Sequence, residues 1–563
     1  MVQLDEFLAR TRIAYLSMEI ALDPSIRTYS GGLGVLAGDA ARSCADLELP
    51  VVFVTLASHE GYLRQEIGPD GSQIDNPDPW DLAQTAPLDA AVAISIEKRS
   101  VWIRPWLYLH SCPHGGCVPV ILLDTRLEVN APEDRNITDR LYGGDATLRL
   151  KQEMVLGVGG ERILRALGFE IETFHLNEGH AAFLPLALLK RHRLPIDRPL
   201  GDALSYDIDP VRECCVFTTH TPVEAGHDRF PYDLVTRVMG DYFELDQLRQ
   251  LAGFDSLNMT RLALSLSAWV NGVAGRHADT TRRMFPGYHI RAITNGVHVP
   301  TWAHPAFHPL FERVAPGWAY DPDTLMRVDR LPDEAVWNAH LEAKAALVEE
   351  TRNRCGVELQ RDLPILAFAR RMTGYKRPDL LFTDVGRLRA IAGRYPFQLV
   401  IAGKAHPNDG QGKALIQAIH DHARALRSTI PVAFLPGYDM KLAKVMVAGA
   451  DHWVNTPVPP LEASGTSGMK AAVNGLPNLS VLDGWWAEAC EEGITGWAIG
   501  EDGSPATEHA RSLYGKLETA ILPLWYQDRS GWIRMMKQCI ARIGGHFHSQ
   551  RMMRRYAAEA YLR

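Results

Sequence analysis

Four cations fall within eight residues in Arg370-Arg-Met-Thr-Gly-Tyr-Lys-Arg377, directly after the apolar run Leu363-Pro-Ile-Leu-Ala-Phe368. Arginine forks grip phosphate with two parallel hydrogen bonds and lysine adds a point charge, so the cluster suits an anion. A second stretch, Pro460-Leu-Glu-Ala-Ser-Gly-Thr-Ser-Gly-Met-Lys-Ala-Ala-Val-Asn-Gly475, follows the strand-like run Asp451-His-Trp-Val-Asn455 and leads into an Ala-rich helix beginning near Ser467. A Gly/Ser/Thr turn at a helix start presents backbone N–H groups and the positive end of the helix dipole. Into that anion site the sequence places a carboxylate, Glu462, and an amine, Lys470. An amine beside a bound phosphate can form a Schiff base with a phosphorylated aldehyde cofactor. Taken alone, each stretch also reads as solvated surface, a charge run on a helix face or a loop lysine. Their shared place, just beyond buried strands, favours chemistry.

Other residues could line a sugar site. His220 lies in the turn Thr218-Thr-His-Thr-Pro222, and Asn271 and Asn295 each precede a glycine after an apolar run. Imidazole and amide groups hydrogen-bond sugar hydroxyls, and they serve equally as satisfied turn residues. Gly31-Gly-Leu-Gly34 follows the first apolar run, where glycine permits close approach to a phosphate or simply close packing. His175 and His180, around Asn177 and Glu178, have no third and fourth ligand at metal spacing; they read as cleft lining, and no metal is expected. Two motifs are expected to be decoys. His110-Ser-Cys-Pro-His-Gly-Gly-Cys117 sits between two alternating runs, where Pro-His-Gly-Gly is hairpin-turn chemistry. Gly157-Val-Gly-Gly160 falls within a helical stretch over residues 146–167, where close helix packing explains it.

The elements that must position these groups show as short β-branched runs, each followed by Gly or polar residues and then a helical pattern. They cover residues 13–17, 49–55, 215–218, 363–368, 397–402 and 431–435. Strand–helix alternation predicts parallel sheets covered by helices. Residues 90–124 alternate differently and predict an antiparallel extension of the first sheet. The chemistry-bearing motifs lie just past the runs, and open α/β sheets bind ligands beyond the carboxyl ends of their strands. Two such sheets predict a cleft between two Rossmann-like domains. At 563 residues the chain exceeds one ordinary core. A diffuse net charge of −8 argues against nucleic-acid binding. The charged start Met1-Val-Gln-Leu-Asp-Glu, the lack of a bilayer-length apolar run and eight scattered cysteines predict a cytoplasmic protein without membrane contact.

With these motifs assembled, the chain resembles the α-glucan (glycogen, starch and maltodextrin) phosphorylases, in particular their short bacterial and archaeal branch. The resemblance runs in order through Tyr15-Leu-Ser-Met-Glu19, Gly31-Gly-Leu-Gly34, Leu148-Arg-Leu-Lys-Gln152, His220-Thr-Pro and Val270-Asn-Gly-Val-Ala274. It continues through Ile293-Thr-Asn-Gly-Val297, the cationic motif and the Glu462 to Lys470 segment, so it covers nearly the whole chain. It implies a GT-B fold: two Rossmann-like domains, residues 1–270 and 271–544, face across a deep cleft, and a C-terminal helix over 545–563 crosses back to the first. It implies pyridoxal 5'-phosphate on Lys470, with the cofactor phosphate held by Thr466, Ser467, Arg370 and Tyr438. Substrate phosphate would meet Arg371, Lys376 and the backbone of Gly32. The glucosyl unit would contact His220, Asn271, Tyr375, Glu462, Ser464 and Gly465, with Leu33 nearby. The implied catalytic set is Lys470, Arg371, Lys376, His220 and Glu462. The implied reaction is reversible phosphorolysis of a terminal α-1,4-linked glucose by inorganic phosphate, giving α-glucose 1-phosphate with retention.

The sequence departs from the long-form pattern in places. Arg370 stands where a lysine is usual, Thr373 where a histidine is usual, and Asp439 follows Tyr438 where a basic residue is common. Ser467-Gly468 replaces Gly-Asn or Ser-Asn. The nucleotide and phosphorylation control regions of the animal enzymes have no room here, so such regulation is not expected; a homo-oligomer is left open. The rival reading is a nucleotide-sugar-dependent glycogen or starch synthase of the same fold. Those enzymes commonly carry Glu-x7-Glu, whereas the position eight after Glu462 is Lys470.

Overall fold

The computed structural model describes residues 4–112, 115–195 and 204–562. The runs rich in Val, Ile and Phe become strands buried on both faces, as parallel sheets require. In chain order the first are β1 (Ile13–Ser17), β2 (Val51–Leu56), β3 (Arg64–Ile67), β4 (Gln73–Asn76), β5 (Ala86–Pro87), β6 (Val92–Ile96), β7 (Arg99–Ser111) and β8 (Cys117–Asp124). There follow β9 (Thr173–Asn177), β10 (Cys215–Thr218), β11 (Arg229–Pro231), β12 (Ser256–Asn258), β13 (Trp269–Gly272) and β14 (Ile290–Ala292). Ten of these form one sheet in the order β14-β13-β10-β9-β1-β2-β8-β7-β5, with β6 on β7. From β14 to β8 every pairing is parallel; β5, β6 and β8 meet β7 antiparallel, which is the expected extension. The β7–β8 ladder closes at Ser111 opposite Cys117, a hairpin as expected, although Pro113 and His114 lie outside the described residues.

The second sheet takes β15 (Ile365–Ala369), β16 (Gln398–Ala402), β17 (Val432–Leu435), β18 (His452–Asn455), β19 (Asn478–Val481) and β20 (Gly496–Ile499). All pair in parallel in the order β17-β16-β15-β18-β19-β20. Numbered within the sheet, this is the 3-2-1-4-5-6 order of a doubly wound nucleotide-binding sheet, and the parallel part of the first sheet repeats it. The strand order therefore reverses between β15 and β18, and between β1 and β9. Those two switch points are where loops diverge and leave space for ligands.

One expectation about boundaries is corrected. A domain change at Asn271 would cut β13, and β14 still pairs with it, so the first sheet runs to Ala292. His175 and Asn177 are part of β9. Gly157-Val-Gly-Gly160 lies inside a continuous helical stretch, and a Cβ on Gly157 would fall 2.7 Å from Phe183 and Leu184, so close packing is its role.

The C-terminal helix Ser549–Tyr556 returns to the first sheet and packs on the helix Gly32–Asp46, where Ser549 and Ser43 hydroxyls meet at 2.6 Å. Beyond it the Tyr561 hydroxyl sits 2.7 Å from His175 Nδ1 beneath the strands. The second half also reaches the first through the β3–β4 hairpin. Gln65 donates to Gly403 O at 2.8 Å, and Gln73 donates to Ala405 O at 2.9 Å. These side-chain bonds tie the first half to the loop that follows β16.

Candidate active site

Beyond β15 the chain turns sharply, and its cations separate by role. Arg377 adopts a left-handed φ of 46° and spends its guanidinium on the Thr456 and Pro457 carbonyls at 2.8 and 2.7 Å, fixing the loop after β18. Arg370 and Lys376 are buried and converge on one carboxylate oxygen, Glu462 Oε2, each at 2.6 Å. Burial pushes the Glu462 carboxyl up, but Arg370 and Lys376 outweigh it and hold it below the ordinary value. Arg370 also donates to Asn455 Oδ1. Arg371 differs from its neighbours. It stays open to solvent and has no hydrogen-bonded or ion-paired partner among the described residues.

Arg371 faces the first sheet. Its Nη2 lies 3.3 Å from where a Cβ on Gly31 would stand, so a larger residue there would crowd the guanidinium. Gly31 caps the helix Gly32–Asp46, which has no acidic residue in its first turn. The buried carboxylate Glu19, just past β1, takes the amides of Ser30 and Gly31 at 2.5 and 3.1 Å, and Tyr142 donates to its other oxygen at 3.0 Å. The amides of Gly32 and Leu33 take no partner among the described residues. A guanidinium fork and the positive end of a fifteen-residue helix thus point at the same space.

Lys470, on the helix Ser467–Val473, is 7% exposed, and its Nζ lies 4.2 Å above the Trp302 ring. Burial lowers its pKa to about 8; Asp39 raises it and Arg42 lowers it further. Its amine has no hydrogen bond or ion pair among the described residues. Trp302 is held in turn, since its indole donates to Asp39 Oδ2 at 2.8 Å and Asn474 bonds both its carbonyl and that of Lys470. In the segment leading to this helix, Ser464 Oγ is buried without a partner among the described residues. Gly465 takes a φ of 86°, and a Cβ there would lie 3.1 Å from Glu462 Cδ and 3.3 Å from Arg370 Nη2. A side chain at that position would fill the space beside the ion pair. Thr466 makes no capping bond, whereas Ser467 Oγ accepts from the Trp453 indole at 3.2 Å. Tyr438 lies near Arg370, and burial raises its phenol above the ordinary value. Asp439, unusual in sequence, caps the helix Met440–Gly449 through the Leu442 amide at 2.9 Å and faces Arg27 at 3.8 Å.

His220 lies past β10 and is fixed from two sides. Its amide donates to Glu178 Oε2 at 2.7 Å, and its Nε2 meets Asn177 Oδ1 at 2.6 Å. Asn177 Nδ2 donates to Ser17 Oγ, so Oδ1 is the acceptor and His220 carries its proton on Nε2. Burial lowers its pKa to about 4, leaving a neutral ring with Nδ1 as an acceptor.

The chain is similar to known carbohydrate phosphorylases. The model of the carbohydrate phosphorylase family matches residues 223–495. A maltodextrin phosphorylase of Thermococcus litoralis is 37% identical over 98% of this chain and 70% of its own length. A glycogen phosphorylase of Aquifex aeolicus is 35% identical over 98% and 86%, and an uncharacterised protein of Methanocaldococcus jannaschii is 30% identical over 97% and 99%. The chain belongs to the carbohydrate phosphorylase family.

Within that phosphorylase frame one expected sugar contact is corrected. Asn271 is fully buried; its amide donates to Tyr556 OH and Gly272 O, and its Oδ1 accepts from Thr218. It anchors the C-terminal helix and has nothing left for a sugar. His175 belongs to the same network, with both ring nitrogens engaged by Tyr561 and Thr218, so it does not line the cleft. His180 is buried too, with Nε2 2.9 Å from Arg149 Nη2 and 3.3 Å from Asp228. Asn295 is the better candidate, since it lies past β14 with its side-chain oxygen buried and unpartnered. Its Asn-Gly after an apolar run was the same signal that Asn271 gave. Glu19 was visible only as part of a motif, and its hold on the Gly31 turn needed the fold to appear.

Proposed function

We propose that this chain is a retaining glucosyltransferase. It carries out reversible phosphorolysis of the terminal α-1,4-linked glucose of an α-glucan or maltodextrin, giving α-D-glucose 1-phosphate, with pyridoxal 5'-phosphate held at Lys470. Family membership supports the reaction, and relatives named maltodextrin and glycogen phosphorylase support the substrate class. The observation that carries the reading is a pair of groups without a hydrogen bond or ion pair among the described residues, the buried amine of Lys470 over Trp302 and the guanidinium of Arg371 at a helix start.

The residues fit the cofactor. Lys470 offers an amine that burial has shifted toward its neutral, nucleophilic form, and Trp302 beneath it makes a flat apolar wall. Thr466, Ser467, Arg370 and Tyr438 would hold its phosphate. What the cofactor supplies when bound is a phosphate that ionises near neutral pH and so can exchange a proton.

Arg371 and the free amides of Gly32 and Leu33 bind inorganic phosphate, with Lys376 as the second cation. These charges offset the repulsion between two phosphates held close together. Glu462 is paired to both Arg370 and Lys376 and kept ionised, which makes it a poor proton donor. The proton for the leaving glycosidic oxygen is therefore assigned to substrate phosphate, and an oxocarbenium-like carbon forms between phosphate and leaving group. His220 Nδ1, Ser464 Oγ, Gly465, Tyr375 and Asn295 face the glucosyl unit, with Leu33 packing nearby. Glu462 sets the positions of the cations beneath it. Lys470 stands where a synthase would carry its second carboxylate, which speaks against a nucleotide-sugar donor.

The test is an absorbance spectrum of the full chain supplied with pyridoxal phosphate and then freed of excess. A near-ultraviolet band from bound cofactor is expected for the wild type and not for Lys470→Ala. A folded wild type with no band would overturn the assignment of the cofactor.

A further inference from the structure

Glu462, Ser464 and Gly465 sit on a segment without regular structure, so something must fix it. Among the described residues the backbone of 462–465 makes two hydrogen bonds, and both go to the turn that follows β19. The Glu462 amide donates to Asp483 Oδ2 at 2.9 Å, and the Trp485 amide donates to Ser464 O at 3.0 Å. Asp483 also organises that turn, since its Oδ1 accepts the Gly484 amide at 2.9 Å. Gly484 has a φ of 53°, and a Cβ there would stand 2.4 Å from Ser464 O and 3.0 Å from Glu462 O. The two turns are pressed together with no room between them. Asp483 is 2% exposed and touches no group that would react.

We propose that Asp483 is a positioning residue for the Glu462–Gly465 segment, whose carboxylate sets the placement of Glu462 between Arg370 and Lys376. This rests on the reading of the site given above. A buried carboxylate is a costly way to accept two amides, because desolvation disfavours its charge. The charged groups facing it are Glu462, which repels it, and Arg276 from the helix Gly275–Met284, which attracts it and donates to Leu482 O at 2.8 Å. Burial, with a smaller push from the Glu462 charge, outweighs the two amide bonds and Arg276 and brings its pKa up to about 6. Across neutral pH it is thus mostly charged and holds both amides. Below that range one oxygen becomes a hydroxyl, a weaker acceptor, and the bond from one amide weakens.

The sign for stability runs the other way. A carboxyl raised above its unfolded value of about 3.9 is more stable folded when protonated, and that contribution is lost as pH rises through about 6. Replacing the charge by a neutral group is therefore expected to lower activity without lowering stability in proportion. A carboxylate kept only for structure would give the opposite pattern.

The experiment compares the cofactor-loaded wild type with Asp483→Asn, with Asp483→Ser as a second neutral variant. Glucose 1-phosphate release is followed from pH 5 to 8. The expected ratio of kcat, wild type over variant, is about tenfold at pH 7.5, equal to about 1.4 kcal/mol. It should shrink toward one near pH 5, where wild-type Asp483 is itself neutral. Substrate ionisation cancels in the ratio. The KM for inorganic phosphate should rise less than in Arg371→Ala, because Lys376 is displaced with Glu462 whereas Arg371 and the Gly31 turn are not, and the cofactor band should be retained. A ratio that does not change with pH would overturn the proposal. So would a fall in cofactor content and melting temperature that accounts for the lost rate, or failure of both variants to fold. A wild type that releases no glucose 1-phosphate would instead overturn the reading of the site.

Discussion

Glu462→Gln is the substitution whose consequence is best fixed by the geometry. It removes the one negative charge between Arg370 and Lys376, each 2.6 Å from the same oxygen and each nearly buried. Removing one partner of a buried pair costs about 3–5 kcal/mol, because the remaining charge is left uncompensated. Glutamine keeps one acceptor oxygen, which places the expected loss at the lower end, about 3 kcal/mol. For a cooperative unit of a few hundred residues that is roughly 2 °C per kcal/mol, or a fall in Tm of about 6 °C. The two bared cations should then recruit an anion, so inorganic phosphate should raise the Tm of the variant more than that of the wild type. Phosphate at about ten times its Kd contributes about 1.4 kcal/mol. pH supplies a second reading. The folded-state pKa of Glu462 is depressed, so its stabilisation is complete above the unfolded value of about 4.3 and fades as pH falls through the folded value. The gap between the two proteins should therefore close in acid. Thermal melts of both proteins, with and without phosphate at pH 7.5 and pH 4, are the assay. A variant within 1 °C of the wild type at pH 7.5, or an equal response of both to phosphate, would refute the reasoning (a shift of that size is under about 0.5 kcal/mol).

Arg371→Ala should raise the KM for phosphate by about 10- to 100-fold, the loss of charge-assisted hydrogen bonds worth about 1.5–3 kcal/mol, while retaining the cofactor band. Steady-state kinetics beside a spectrum decide it, and loss of the band would mean that Arg371 serves the cofactor instead. Asn271→Ala and Asn295→Ala should separate cleanly. The first strands Thr218 and Tyr556 and costs about 2–3 kcal/mol of stability with substrate KM unchanged, and the second leaves Tm nearly unchanged and lowers kcat/KM about tenfold. Cofactor loading onto the apoprotein should speed up with pH by about tenfold per unit below about 8 and level off above it, as the Lys470 amine becomes neutral. Stopped-flow absorbance reads that rate, and a profile flat from pH 6 to 8 would contradict it.

Much of the fold could be read from local pattern. β1 and β10 match their apolar runs residue for residue, and the antiparallel extension was visible in the alternation of residues 90–124. That the Arg370 and Glu462 motifs lie beyond strand ends was legible in the sequence, whereas their place at the switch point needed the strand order. What the sequence hid depends on contacts between distant segments. Asn271 and Asn295 share one local signal, and only the return of the C-terminal helix, bringing Tyr556 to the former, tells them apart. Glu462 read as a sugar contact, and nothing local reveals that Arg370 and Lys376 also meet on it. Arg377 counted as a fourth phosphate cation until its left-handed backbone turned it onto Thr456 and Pro457. Asp483 gave no motif, since its role lies in two backbone amides.

In the proposed reaction this site transfers a glucosyl unit to inorganic phosphate. It is tested most directly by incubating the cofactor-loaded chain with maltoheptaose and phosphate and measuring α-D-glucose 1-phosphate. The expected result is release of glucose 1-phosphate that requires phosphate and is abolished in Lys470→Ala. Free glucose as the main product, or activity that appears only with a nucleotide-glucose donor, would contradict the account.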